Sequence, residues 1–378
     1  MIGLALVLAL AVRAAPAPPR NVPPLPEAEP ALEAKIAQML LVGFRGAELK
    51  PDSHIYRDVK DLGVGGVILF DYDTPSRSRP RNILSREQLT RLCGDLRRIA
   101  PVRLFIALDQ EGGRVNRLRG EYGFPPSAGA REMAADRTGA LTRAQAEETA
   151  GLLAEVGVNL NFAPCVDLDL NPENPVIGAY GRSFSASPSV VVKHAALWIE
   201  AHRRRGILSC LKHFPGHGSS AGDTHLGWVD VTETWRRAEL IPYRRLAGPG
   251  LMVMTSHVFN AALDPRYPAT LSPRIITGLL RNKLGFKGVV VSDDLDMAAI
   301  RAHYGFEEAL ERAINAGVDL LCLSNNGGQY DPALASKAVE AIRGLVLSGR
   351  VTRERIDESW GRIMALKGSF LAANPDSY

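Results

Sequence analysis

Residues 279–297 read LLRNKLGFKGVVVSDDLDM. An amphipathic stretch ends at Gly285. A short apolar run, Gly288–Ser292, then passes straight into Asp293 and Asp294. A run this short with no alternation suits a strand covered on both faces, as in a parallel sheet. Seven comparable runs lie elsewhere: Leu40–Phe44, Gly65–Phe70, Leu104–Asp109, Val158–Ala163, Ile207–Lys212, Leu251–Ser256 and Asp319–Leu323. Helical periodicity fills the intervals, over 86–99, 143–156, 187–205, 233–247, 273–284, 307–316 and 331–348, with a further helix over 352–367. Thr234 and Ser272 read as helix starts, the latter with Pro273 in the first turn. Eight strand units alternating with helices predict an α/β fold, a single-domain (β/α)8 TIM barrel over residues 31–370. An open doubly wound sheet is the alternative, but neither G-x-G-x-x-G nor G-x-x-x-x-G-K-[ST] occurs.

The chain has 378 residues, 46% hydrophobic and 23% charged, which excludes wholesale disorder. A net charge of +4, from 45 basic and 41 acidic residues, is too small and too dispersed for a nucleic-acid binder. The run Arg203–Arg205 reads as a solvated helix end. Residues 1–14, MIGLALVLALAVRA, are too short to span a bilayer and fit the apolar core of an export signal. Residues 15–30, rich in Pro and Ala, read as a linker. This places the protein in the periplasm or outside the cell, with the cytoplasm as the alternative. No Cys lies near the cleavage region, so no membrane anchor is expected. Cys93, Cys165, Cys210 and Cys322 fit no metal or redox spacing and read as free thiols.

Reactive groups of a barrel collect where strands end. Here those ends carry Asp109-Gln110-Glu111, Asn161 with Asp167 and Asp169, Lys212-His213, Ser256-His257, Asp293-Asp294 and Ser324-Asn325. Asp293 suits a nucleophile held rigidly by a strand, with Asp294 left to cap the next helix, expected over Asp294–Ile300. Asp223 and His225 on the glycine-rich loop can form an oriented acid/base pair. Zinc on His213, His217, Asp223 and His225 is a minor reading, because the spacing is wrong and Lys212 repels a cation. A Ser219 or Ser220 nucleophile is another, without the G-x-S-x-G elbow. The mixture of Arg114, Arg117, Arg182 and Lys212 with Asp109 and His213 fits the hydroxyls of a sugar better than a phosphate.

Four motifs carry a family likeness: LKHFPGHGSSAGDTHLG from Leu211, LLRNKLGFKGVVVSDDLDM from Leu279, DQEGGRVNRL from Asp109 and GRSF from Gly181. Together they resemble the glycoside hydrolase family 3 β-N-acetylglucosaminidases over residues 35–345. The resemblance implies a retaining mechanism with Asp293 as nucleophile, His225 as acid/base and Asp223 as its partner. It also implies that Asp109, Arg117, Arg182, Lys212 and His213 hold N-acetylglucosamine. The choice of Arg117 over Arg114 rests on the resemblance alone. It implies a carbohydrate substrate, from peptidoglycan or chitin-like glycans, with no metal and no organic cofactor. A phosphorylase that uses phosphate as acceptor, and an inactive sugar-binding protein, are the alternatives.

Overall fold

The computed structural model describes residues 30–372. The export segment 1–14 and residues 15–29 of the linker lie outside the described residues. Eight parallel strands form one sheet: β1 (Leu40–Gly43), β2 (Gly66–Ile68), β3 (Phe105–Leu108), β4 (Leu160–Asn161), β5 (Leu208–Phe214), β6 (Leu251–Thr255), β7 (Val290–Val291) and β8 (Leu321–Leu323). Neighbours follow chain order, and β1 also pairs with β8, Leu41 opposite Cys322.

The barrel closes between β7 and β8 through the Val291–Leu320 bridge. Asp319 reinforces that seam. Its buried carboxylate accepts the Val290 amide and is held by Arg281, Arg355 and Arg362. A charge with no exposed surface persists only when its lone pairs are taken up in this way.

The strands are buried along their whole length because helices cover the outside and side chains fill the lumen. Phe105, Phe162, Leu208 and Val253 belong to one contiguous core. Each such burial contributes about 1.5–3 kcal/mol. All four cysteines are buried free thiols.

Most expected helices form within a few residues of their predicted bounds: Arg86–Ile99, Ala140–Val156, Pro188–Arg204, Phe306–Ala316 and Leu334–Leu347, with the last running Arg353–Ala372. Ser272 caps the Arg274–Lys283 helix, its hydroxyl accepting the Ile275 amide. Two expectations fail. Residues 233–247 do not form one helix; a short 3₁₀ turn, Arg237–Leu240, leads into Ile241–Leu246, with Pro242 in its first turn. Thr234 starts no helix. Nor does Asp294 cap one: the next helix is only Ala298–Arg301, preceded by Met297.

Two glycines fix the loops at the mouth. A Cβ on Gly112, at φ +89°, would sit 2.1 Å from the Ala128 carbonyl oxygen. One on Gly218 would sit 1.7 Å from that of Leu168, so the loop after β5 lies directly on the chain after β4.

Candidate active site

The C-terminal ends of β3, β4 and β5 carry a charge lattice. Lys212, 2% exposed at its side chain, places Nζ 2.7 Å from both Asp109 Oδ1 and Glu111 Oε1. Arg182 grips Glu111 with two donors, at 2.7 and 2.9 Å. Its third nitrogen, Nη1, donates to the Val176 carbonyl, and Nη2 also stands 3.3 Å from His213 Nε2. Burial works against each charge, yet the opposite charges prevail. Asp109 and Glu111 stay below, and Lys212 and Arg182 above, their usual pKa ranges.

Asp167, fully buried, organises the next layer. It accepts His213 Nδ1 at 2.6 Å and the backbone amides of His213 and His217. Burial opposes its charge, but His213 and His217 lower its pKa to about 2.

Arg117 is held more loosely. It stands 3.5 Å from Asp109 and 3.8 Å from Asp71, and its Nε has no hydrogen-bond partner among the described residues. It keeps donors available for a ligand, whereas the Arg182 donors are engaged. Arg114 lies over the Tyr180 ring instead.

Asp293 emerges from β7 into the same mouth. Its Oδ1 accepts the Asp294 amide at 2.8 Å, and its own amide points to Thr255 Oγ1 at 3.3 Å. Burial pushes its pKa up, but His257, His213, His225 and the Asp294 amide outweigh this and hold it below the usual value. It is therefore ionised at neutral pH, as a carboxylate nucleophile must be.

Asp294 turns away toward β8, where it accepts the hydroxyl and the amide of Ser324. Burial raises its pKa to about 6. His257 accounts for another unforeseen contact, with Nε2 2.8 Å from the Asp294 carbonyl and Nδ1 2.8 Å from Thr270 Oγ1.

The loop after β5 carries Asp223 and His225. His225 Nδ1 lies 2.7 Å from Asp223 Oδ1, which also accepts the His225 amide. Burial disfavours the imidazolium, but Asp223 and Asp293 outweigh it and raise the His225 pKa. The His225 side chain is 61% exposed, leaving Nε2 open toward the mouth.

Of the residues expected at the site, Lys212 meets Asp109, Arg117 stands beside Asp109, Arg182 reaches His213, and Asp223 pairs with His225. Glu111, Asp167 and His257 had been noted only as strand-end residues without roles. Their partners come from other strands, which the local sequence does not display. Cys165, Asp167 and His213 form the one cluster among the described residues whose ligand atoms could share a metal ion. Arg182, beside His213, opposes a cation there. The minor zinc reading finds no such cluster of His213, His217, Asp223 and His225 among the described residues, and His217 contacts Ser220 and Thr224. The Ser220–His217 contact, at 2.9 Å, is a serine–histidine pair, but both side chains are buried and burial lowers the His217 pKa to about 4. Ser219 donates to Glu239.

An ionised carboxylate facing a His–Asp pair at the mouth of a parallel barrel, beside a donor-rich pocket, is the apparatus of a glycoside hydrolase. The sequence model described as "Glycosyl hydrolase family 3 N terminal domain" matches residues 31–366, and the chain belongs to that family. It is 37% identical over 320 residues to a Beta-hexosaminidase of Stenotrophomonas maltophilia, covering 82% of this chain and 88% of that one. It is 34% identical over 334 residues to Beta-hexosaminidase A of Pseudoalteromonas piscicida, covering 80% of this chain and 53% of that one. The structure of a family 3 β-N-acetylglucosaminidase from Paenibacillus superposes with a TM-score of 0.80 at 36% identity, covering 91% of this chain and 64% of that one. The chain thus spans about half to two thirds of two of these relatives and most of the third.

Proposed function

We propose that the protein is an exo-acting, retaining β-N-acetylhexosaminidase that removes terminal β-linked N-acetylglucosamine. Asp293 attacks the anomeric carbon while His225 protonates the leaving oxygen. The glycosyl-enzyme is then opened by water, which His225 deprotonates. Asp223 holds His225 in the tautomer with Nε2 facing the substrate and stabilises its charged form. Asp109, Arg117 and Lys212 bind the sugar hydroxyls and acetamido group. Arg182 and His213, fixed by Glu111 and Asp167, shape the floor of that pocket. A histidine thus stands where most glycosidases use a second carboxylate.

The observation that carries this reading is the His225–Asp223 pair, 2.7 Å apart, with His225 and Asp293 tuned in opposite directions. The Asp293 carboxyl is held below its usual pKa and the His225 imidazole above its usual pKa. The names of the similar proteins support the choice of an N-acetylated sugar. The export-like segment 1–14 supports action outside the cytoplasm, on peptidoglycan-derived or chitin-like glycans.

Release of 4-nitrophenol from its β-N-acetylglucosaminide and from its β-glucoside, each with and without phosphate, tests the proposal. Turnover of the acetylated sugar alone, indifferent to phosphate, is the expected result. A rate that requires phosphate and yields a sugar 1-phosphate contradicts hydrolysis in favour of phosphorolysis. Binding of N-acetylglucosamine without turnover of any β-glycoside of it makes the protein a sugar-binding module.

A further inference from the structure

Two of the exposed large apolar side chains follow directly on His225. Leu226 is 83% exposed and Trp228 is 39% exposed. Both lie on the loop that carries His225, so their apolar surface borders that residue along the chain. The Trp228 ring is backed on one side. It lies 5.0 Å from the Phe259 ring, tilted by 38°, and 5.0 Å from the His303 ring, edge-on at 67°.

The backbone on both sides of this segment is tied down. Upstream, the Ala299 amide donates to the Thr224 carbonyl at 3.2 Å. Downstream, the Phe259 amide donates to the Val229 carbonyl and the Val231 amide to the Phe259 carbonyl, both at 2.8 Å. The indole is therefore held in place by the loops after β6 and β7, with part of its surface left to solvent. A preset ring loses little freedom when a ligand covers it.

We propose that Trp228 is the platform of the leaving-group subsite, where it stacks on a pyranose ring attached to the scissile oxygen, with Leu226 as its rim. This rests on the hexosaminidase reading above. Protonation by His225 requires the leaving oxygen within about 3 Å of its ring nitrogen. The Cα atoms of His225 and Trp228, three residues apart, lie at most about 10 Å from one another, so both side chains belong to one short stretch of the loop. Aromatic faces suit the apolar C–H face of a pyranose, and binding pockets are lined in this way. His303, exposed beside the indole, offers ring nitrogens to hydroxyls of the same sugar. Trp228 is then a specificity-determining residue that favours leaving groups that are themselves sugars.

The test compares kcat/KM for N,N′-diacetylchitobiose, whose leaving group is a pyranose, with that for methyl β-N-acetylglucosaminide, whose leaving group is methanol. The ratio of the two is measured in the native protein and in Trp228→Ala and Trp228→Phe. Stacking contributions of this kind predict a fall of about tenfold in the ratio for Trp228→Ala, most of it restored in Trp228→Phe. Thermal melting of each variant shows that the fold is retained. An unchanged ratio, or equal losses on both substrates in a folded variant, overturns the platform. Native protein that turns over neither substrate removes the hexosaminidase reading and the subsite with it, a result distinct from an unchanged ratio.

Discussion

The two halves of the mouth are built in opposite ways. The half on β3, β4 and β5 is a closed lattice in which Lys212, Glu111, Arg182, Asp167 and His213 satisfy one another at 2.6–3.3 Å with little exposed surface. The half on the loop after β5 is a single pair, Asp223 and His225, with the histidine largely in solvent. Under the proposed function, the difference follows from what each half does. A group that recognises one fixed sugar gains from being rigid and saturated beforehand. A group that exchanges protons with a departing alcohol and an entering water has to remain accessible. Asp293 sits between them, fixed by its strand but tuned by histidines from both sides.

That contrast predicts unequal consequences of mutation. His225→Ala is expected to lower kcat by about 10³-fold while leaving the melting temperature unchanged, because general acid–base groups contribute 10²–10⁴ and this one is exposed. A glycoside with a strongly acidic leaving phenol needs no protonation and should recover most of the first step. Loss of the same size on both leaving groups would break the contrast. Glu111→Gln should do the reverse. It leaves Lys212 and Arg182 buried with one partner fewer, so unfolding by denaturant should show a loss of about 3 kcal/mol. A stability within 0.5 kcal/mol of native, roughly the range of surface substitutions, would show that the lattice is not the rigid half.

Glu239 sharpens the comparison from beneath the loop. Its Oε1 accepts Ser219 Oγ and the Arg236 amide, while Oε2 has no partner among the described residues. Burial raises its pKa from 4.5 to about 7. The folded state therefore binds this proton more tightly than the unfolded chain does. Its contribution is fully present below pH 4.5 and is lost as pH rises toward 7. Glu239→Gln should accordingly gain stability over native at pH 8, by about 2 kcal/mol, and little at pH 5. A gain independent of pH would contradict this.

The smallest effect is expected for Asp223→Asn. It removes the group that supports the His225 cation, so the alkaline limb of the kcat profile should move to lower pH with about tenfold loss at neutral pH. An unmoved alkaline limb would separate Asp223 from the acid/base role.

The barrel was legible because buried parallel strands are apolar on both faces, and eight such runs recur at helix-length spacing. Asp109, Lys212, His213 and Asp293 were legible for a related reason: each interrupts or ends an apolar run, where a polar residue has no local purpose. Less was visible where the partner lies far along the chain. Asp294 looked like a helix cap because it stands between a strand and a polar turn. Its real partner, Ser324, comes from the end of β8, 30 residues away. Glu111 and Asp167 were in view as acids but not as organisers, since Arg182 and His213 reach them only once β3, β4 and β5 are side by side. The helix expected over 233–247 failed because Pro242 has no amide to continue it and instead begins a new turn.

In the proposed mechanism, Asp293 forms a covalent bond to the sugar. This step is tested most directly by incubating the protein with a 5-fluoro-N-acetylglucosaminyl fluoride, which forms the glycosyl-enzyme but slows its hydrolysis, and digesting the labelled protein for mass spectrometry. One fluoro-N-acetylhexosaminyl unit is expected on the peptide that contains Val289–Leu295, attached at Asp293. An active protein that carries the label on another residue, or carries none while turning over substrate, would contradict the mechanism.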